Sequence, residues 1–394
     1  MNIITIDTTK NKKTIWYFGL EPIKARYTEQ LSTRWIPSAF ERYKDEVNFI
    51  SLDGTYDKSE QIKVGAVLDA CGRGMFAMSQ CQKFLSHLSA GDIKDGDVIY
   101  LQDFWHPGIE SIFYALDLYK IKVQIYSMLH AQSVDEYDFT YQMREWMKPI
   151  EIGISRKMDG IFVGSTIHKD QLRNYGFDCP IHVVSLPFGK DDTLKLVKPG
   201  YEKKQQVIFA SRLDKEKNPY FLLEVIDRFL NQNPAWEWII TTSGKEFRSN
   251  LPGVVELFEN YSKNNSRLKL LSDLSKEQYY QTIAESEIMF NSSMQDYVSW
   301  TSIEAHTFGT RFICPNFRSF PDFCDQAFMY RPFDVISALQ LLNESVREKV
   351  QSTSRDLSNI SDLGRNLEAF IMVNGINFEV NIWHEYELCE NLLK

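Results

Sequence analysis

The segment NSSMQDYVSWTSIEA (291–305) carries two acidic residues, Asp296 and Glu304, eight positions apart. An apolar run, Ile288–Asn291, precedes it and reads as a buried strand that ends in small polar residues. Thr301–Phe308 reads as the next helix. Asp296 then falls on the connecting loop, and Glu304 about one turn into the helix. The helix start at Ser299–Thr301, with Trp300 between, offers backbone N–H groups that lack intrahelical acceptors. Such a helix start suits phosphate oxygens without any metal. Glu304 has the geometry to accept two hydrogen bonds from a ribose diol, and Asp296 to accept from sugar hydroxyls. The plainer alternative is an acidic capping loop followed by a glutamate in a surface ion pair. The apolar neighbours in Ser-Ile-Glu-Ala speak against a surface position for Glu304.

Upstream, Ala210-Ser211-Arg212-Leu213-Asp214-Lys215-Glu216-Lys217-Asn218-Pro219 also follows a strand and opens a helix. Two cations beside a helix start, Arg212 and Lys217, make a diphosphate site. A solvated basic turn is the alternative. The predicted strands around it are Gln206–Ala210, Trp236–Thr241, Leu268–Leu271 and Arg311–Pro315. Helices are predicted at Pro219–Asn231 and Lys276–Ala284. The first half has the same rhythm. Strands are expected at Thr14–Phe18, Val47–Leu52, Val98–Leu101, Val123–Met128, Gly160–Val163 and Ile181–Ser185. Helices are expected at Gly108–Tyr119 and Thr166–Tyr175. Alternation at this spacing implies βαβ units and an α/β fold with parallel sheets. A turn-like, polar stretch over 188–204 sets the expected boundary, with domains at 1–190 and 191–394.

At 394 residues, two domains are expected. A composition 43 % hydrophobic, 25 % charged and 13 % aromatic is that of a globular chain. No apolar run has the length of a membrane helix, and the N-terminus lacks a signal-peptide pattern, so no integral membrane association and a cytoplasmic location are expected. The six cysteines (71, 81, 179, 314, 324, 389) are scattered and read as reduced thiols, with no metal site. Residues 1–190 carry 22 basic and 24 acidic side chains, and 191–394 carry 22 and 29. This balance lacks the basic excess usual in nucleic-acid binders.

Together these segments resemble retaining glycosyltransferases of the GT-B fold. Asp296 to Glu304 is similar to their E-x7-E motif. "VIFASRLDKEKNPYFLLEVI" (207–226), "LLSDLSKEQYYQTIAESEIMFNSS" (270–293) and "HTFGTRFICPNFRSFPD" (306–322) are similar to the segments around that motif. "DVIYLQDFW" (97–105), "YSMLHAQ" (126–132), "DGIFVGSTIHKDQLRNYGF" (159–177) and "VVSLPFG" (183–189) fall in the family's order. The resemblance implies two Rossmann-like domains facing a cleft, with a last helix, about 378–393, crossing back to the first domain. It implies a nucleotide-sugar donor, a UDP-sugar before others, held by Arg212, Lys217, Glu304 and the Ser299, Trp300 and Thr301 region. Gly19 matches a Gly-rich loop near the donor phosphate. His130 matches a histidine facing the sugar at the reaction centre, the alternative being a hydrogen-bonded core histidine. His130 and Asp296 are thus the candidate catalytic residues, and no cofactor is implied. Departures are Asp296 for the first glutamate, Tyr297 and Ser299 for glycines, and Ser211 for the glycine before Arg212.

The acceptor loop is expected in Lys24–Phe40, where Lys24, Arg26 and Arg34 mix with Tyr27 and Trp35, and Asp103 is expected beside it. Cations among aromatics hold phosphates and stack on bases. This region and "SMLHAQSVDEYDFTYQMREWMKP" (127–149) also resemble glycosyltransferases of T-even-type phages, some of which decorate hydroxymethylcytosine in double-stranded DNA. In that setting the chain would work in the host cytoplasm. The other readings are transfer to a polysaccharide, lipid-linked or small acceptor, and a non-catalytic nucleotide-sugar-binding module. The sequence leaves the oligomeric state open.

Overall fold

The computed structural model describes residues 12–23, 26–41, 43–55, 70–130, 133–138, 140–184, 186–242 and 246–347. Lys24, Cys389 and the expected helix at 378–393 lie outside these residues.

Among the described residues, twelve strands form two six-stranded sheets, parallel throughout. The first contains β1 (Lys13–Phe18), β2 (Val47–Ser51), β3 (Val98–Leu101), β4 (Gln124–Met128), β5 (Gly160–Val163) and β6 (Ile181–Val183), in the order β2-β1-β3-β4-β5-β6. The second contains β7 (Lys204–Ala210), β8 (Glu237–Thr241), β9 (Leu268–Leu271), β10 (Ser286–Phe290), β11 (Arg311–Pro315) and β12 (Met329–Tyr330), in the order β12-β11-β10-β7-β8-β9. Each chain half starts mid-sheet, builds outward, then returns and builds the other way. The direction reverses between β1 and β3 and again between β7 and β10. At such a reversal the loops leaving the two strands diverge and open a crevice at their carboxyl ends.

Strands such as VIYL (98–101) and GIFV (160–163) are buried along their whole length, as a sheet covered on both faces requires. Alternate side chains serve opposite faces. Trp16, Phe18, Ile99 and Leu101 pack with Phe84 and Ile112 of the Ala70–Ala90 and Ile109–Tyr119 helices. Ile15, Tyr17, Val98 and Tyr100 pack on the other face with Leu31, Ile36 and Phe40. Ile303 of the second half belongs to that same cluster, so the two halves share apolar contact.

The helices Ala70–Ala90, Arg144–Ser155, Val254–Asn264 and Val335–Arg347 were not anticipated. The first begins Ala-Cys-Gly-Arg-Gly, and its buried stripe (Phe76, Ala77, Gln80, Cys81, Phe84, Leu88) is interrupted by polar and small residues. The expected acceptor loop is also corrected. From Tyr27 to Glu41 the backbone is helical, with a π turn over Leu31–Trp35 ahead of Pro37. Proline lacks an N–H and crowds the carbonyl four residues back, so the helix widens before it.

Candidate active site

The crevice between β7 and β10 gathers the residues of both acidic and basic motifs. Beyond Ala210 the chain passes Arg212, makes a 3-10 turn at Lys215–Lys217 and enters the Pro219–Gln232 helix through Asn218, whose φ is 51°. Leu213, fully buried, anchors the loop in the core. The loop leaving β10 is fastened to it. Ser292 Oγ donates to the Lys217 carbonyl at 2.6 Å, and the Met294 N–H to the Glu216 carbonyl at 2.7 Å. Lys217 Nζ lies 3.3 Å from Asp296 Oδ2. Arg212 pairs with Asp214 at 2.8 Å and with Glu216 at 3.1 Å. Both expected cations therefore have carboxylate partners within the chain, which the sequence reading did not foresee. An arriving diphosphate would compete with those partners.

Glu304 sits in the Trp300–Thr307 helix, 7 % exposed. Tyr279 Oη donates to its Oε2 at 2.7 Å. Burial raises the Glu304 carboxyl to about 8, against the lowering effect of the Tyr279 bond. Ser299 is the N-cap residue, and its Oγ lies 2.8 Å from Thr301 Oγ1. Trp300 and Thr301 are the first two residues of this helix, where an N–H has no acceptor within the helix.

Arg248 was missed. The Leu213 N–H donates to the Arg248 carbonyl at 3.3 Å, and Asn250 brackets Asp214 and Lys215 through bonds of 2.8 and 2.7 Å. This bracing brings Arg248 into the field of Arg212 and, from the first half, Arg26; burial first, then those like charges, lowers its pKa. Only its place beside Arg212 could have flagged it, and 35 residues of chain intervene.

The crevice between β1 and β3 has a different construction. Arg73, on the Ala70–Ala90 helix, donates to Glu21 Oε2 at 2.9 Å, to the Asp103 carboxylate, and to the Trp105 carbonyl at 2.9 Å. Burial opposes its charge, but Asp103 and Glu21 outweigh that, and the guanidinium pKa rises. Gln80 holds the Gly19 turn by donating to the Gly19 carbonyl at 3.0 Å. Gly19 itself is packed closely; a Cβ there would meet the Tyr17 ring at 3.1 Å and Ser32 at 3.3 Å. His130 lies at the end of β4. Its Nε2–H donates to the Gln102 carbonyl at 2.9 Å, which leaves Nδ1 as an acceptor. Burial lowers its pKa, opposed by Asp103 and the Gln102 bond, so the ring is neutral. Arg26, Asp103, Glu21 and Arg73 all lie within electrostatic reach of Tyr27.

Two expected acceptor residues are not brought to this cluster. Arg34 pairs with Glu29 at 3.8 Å and shares the charge environment of Lys276 and Tyr280 in the second half. Trp35, 6 % exposed, packs on Phe188 at 5.1 Å and leaves no room for a Cβ on Gly189. Trp300 likewise turns away from the β7–β10 crevice: its ring sits 4.5 Å from Tyr27 and 6.1 Å from Trp35. Large apolar rings at a cleft bury one another when they can reach.

No protein-family model matches the chain, and no curated protein matches its sequence. Solved structures do match. Sucrose-phosphate synthase from Thermosynechococcus elongatus superposes with a TM-score of 0.63 at 13 % identity, over 97 % of this chain and 99 % of that one. The catalytic domain of starch synthase IV from Arabidopsis thaliana, bound to ADP and acarbose, gives 0.61 at 10 %, over 93 % and 100 %. S. aureus TarM in a complex with UDP gives 0.54 at 13 %, over 76 % of this chain and 59 % of TarM. The chain has the GT-B fold. Each sheet has one topological switch point, between β1 and β3 and between β7 and β10. Among the described residues no cluster of His, Cys, Asp and Glu could hold a metal, and no helix is long and apolar enough to cross a membrane.

Proposed function

We propose that the chain transfers a sugar from a nucleoside diphosphate, a UDP-sugar before others, to an acceptor hydroxyl. The observation that carries this reading is the convergence at one switch point of Arg212 and Lys217 from the β7 loop with buried Glu304 below a helix start on the β10 side. Arg212 and Lys217 would take the diphosphate, together with the amides near Ser299 and Thr301. Glu304 would take the ribose. Residues 191–394 would form the donor domain and residues 1–190 the acceptor domain.

Departure of the nucleotide leaves negative charge on the diphosphate, and fixed cations and helix amides stabilise it without reorganising. The neutral His130 ring, with Nδ1 as acceptor, would orient a sugar hydroxyl, and Asp296 would accept from another. The acceptor hydroxyl would attack from the face the nucleotide leaves, its proton passing to the leaving phosphate, so configuration is retained. Contact between the halves excludes water that would otherwise hydrolyse the donor.

For the acceptor we carry forward hydroxymethylcytosine in duplex DNA, on the sequence resemblance and on Arg26 and Tyr27 at the cleft edge. Glu21 and Asp103 beside them make this face mixed in sign, which fits a small or carbohydrate hydroxyl as well. The deciding experiment incubates the protein with a panel of nucleotide-sugars and hydroxymethylcytosine-containing duplex DNA, then weighs the released nucleosides. A gain of one sugar mass establishes donor, reaction and acceptor together. No gain, with UDP-sugar binding, removes DNA as acceptor. No binding of any nucleotide-sugar removes the transferase reading.

A further inference from the structure

The residue after Asp296 crosses the cleft. Tyr297 Oη donates to Asp135 Oδ2 at 2.6 Å and lies 2.9 Å from the Gln171 side-chain amide. Its ring stacks on His168 of the first half, centroids 3.7 Å apart and planes 17° from parallel. Asp135 is 1 % exposed and also receives Arg318 Nη1 at 2.6 Å from the loop after β11. The neighbouring Ser319 Oγ donates to the Asp296 carbonyl. One buried carboxylate of the first half thus takes two second-half donors, and both belong to segments that hold Asp296.

The following residues repeat the pattern. Val298 packs so closely on Gly164 that no Cβ fits there, and Trp300 stacks on Tyr27. Positions 297, 298 and 300 face the first half, while Asp296 and Glu304 stay with Lys217 and Tyr279 in the second. A phenol carries a single proton, and a carboxylate is its strongest acceptor here, so the Asp135 bond is charge-assisted and buried.

We infer that Tyr297 is a positioning residue: it bolts the loop bearing Asp296 to the first half, so the donor site is complete only while the two halves are together. This rests on the donor reading above, through the role given to Asp296. Tyr297→Phe keeps the ring and its stacking and removes only the phenol bonds. Hydrogen exchange of the full chain, with and without UDP, tests it. In Tyr297→Phe, amides within 292–299 should exchange about tenfold faster, as loss of a buried bond to a charged group would allow. The strands β7 and β10 should keep wild-type protection, and the UDP Kd should stay within about threefold of wild type, because Arg212 and Lys217, the groups assigned to the diphosphate, stand on the β7 loop (about 0.65 kcal/mol on the tenfold-per-1.4 scale). Unchanged exchange at 292–299 overturns the inference. Loss of protection spread evenly over both sheets also overturns it, since that marks a merely structural residue. Wild-type protein that binds no UDP, with exchange still responding locally, removes the donor reading and leaves Tyr297 an interdomain bolt with no donor site to set.

Discussion

The two switch points are built on opposite plans. At β7–β10 the charged groups come from the loops leaving the strands, and two of them are partly exposed: the Arg212 side chain keeps 30 % of its surface and Asp296 22 %. At β1–β3 a single guanidinium from a distant helix is locked between carboxylates, with Glu21 only 2 % exposed. The first arrangement has cations whose partners a ligand can replace. The second has a cation already committed, so its removal strands a buried charge. On the proposed reading one crevice receives an anion and the other holds a shape, and substitutions should separate the two.

The largest effect on stability is expected from Arg73→Ala. Breaking a buried pair by removing one partner costs about 3–5 kcal/mol, so the urea midpoint should fall with little change in slope. Arg212→Ala should cost less, about 1–3 kcal/mol, because Arg212 itself is 30 % exposed and, of its two buried partners, Asp214 keeps its bond from the Asn250 N–H. Equal losses in the two variants would erase the contrast. Activity should sort the other way. Lys217→Ala and Glu304→Ala should each lower kcat/KM for transfer by about 10²–10³, the usual loss of one fixed group that stabilises developing charge or positions the donor, with circular dichroism unchanged. A wild-type rate in either variant would take that residue out of the donor site.

The same contrast explains what could be read from the sequence. The strands of both sheets, apart from the two-residue β12, and the grouping of charged residues at the second crevice were legible because each motif is a continuous strand, loop and helix: Arg212 and Lys217 follow β7 directly, and Asp296 and Glu304 follow β10. Arg73 was not legible, because it sits 52 residues from Glu21 and 30 from Asp103 and has no local signature. Tyr279 reaches Glu304 across 25 residues from a helix whose face looks ordinarily polar. The aromatics misled for a physical reason. Trp35 and Trp300 stand in polar sequence, which suggests stacking on a ligand, but across the closed cleft each is the other's neighbour. Glycines expected beside Asp296 are absent because Tyr297 uses its length to reach Asp135.

Glu304 gives the sharpest test, since its carboxyl is both buried and shifted. Its carboxyl rises from 4.5 in an unfolded chain to about 8 in the fold. Between those values the folded state holds a proton that the unfolded state has released. Stability therefore falls as pH rises through this window, by up to about 1.4 kcal/mol per pH unit from this group, and levels off above it. Other groups titrate in the same range, notably Asp138, raised to about 6 by burial. The difference between wild type and Glu304→Gln isolates Glu304: the variant should lose the share of the downward slope between pH 5 and 8 that this group contributes. A ribose diol donating to the carboxylate favours its charged form, so UDP binding should release a proton and tighten with pH up to about 8, and Glu304→Gln should bind with a flat profile. Parallel stability curves for the two proteins would show that the carboxyl is ionised in the fold and open to water. The β7–β10 crevice would then be no more than a surface groove, and the difference between the two switch points would narrow to Arg73 alone.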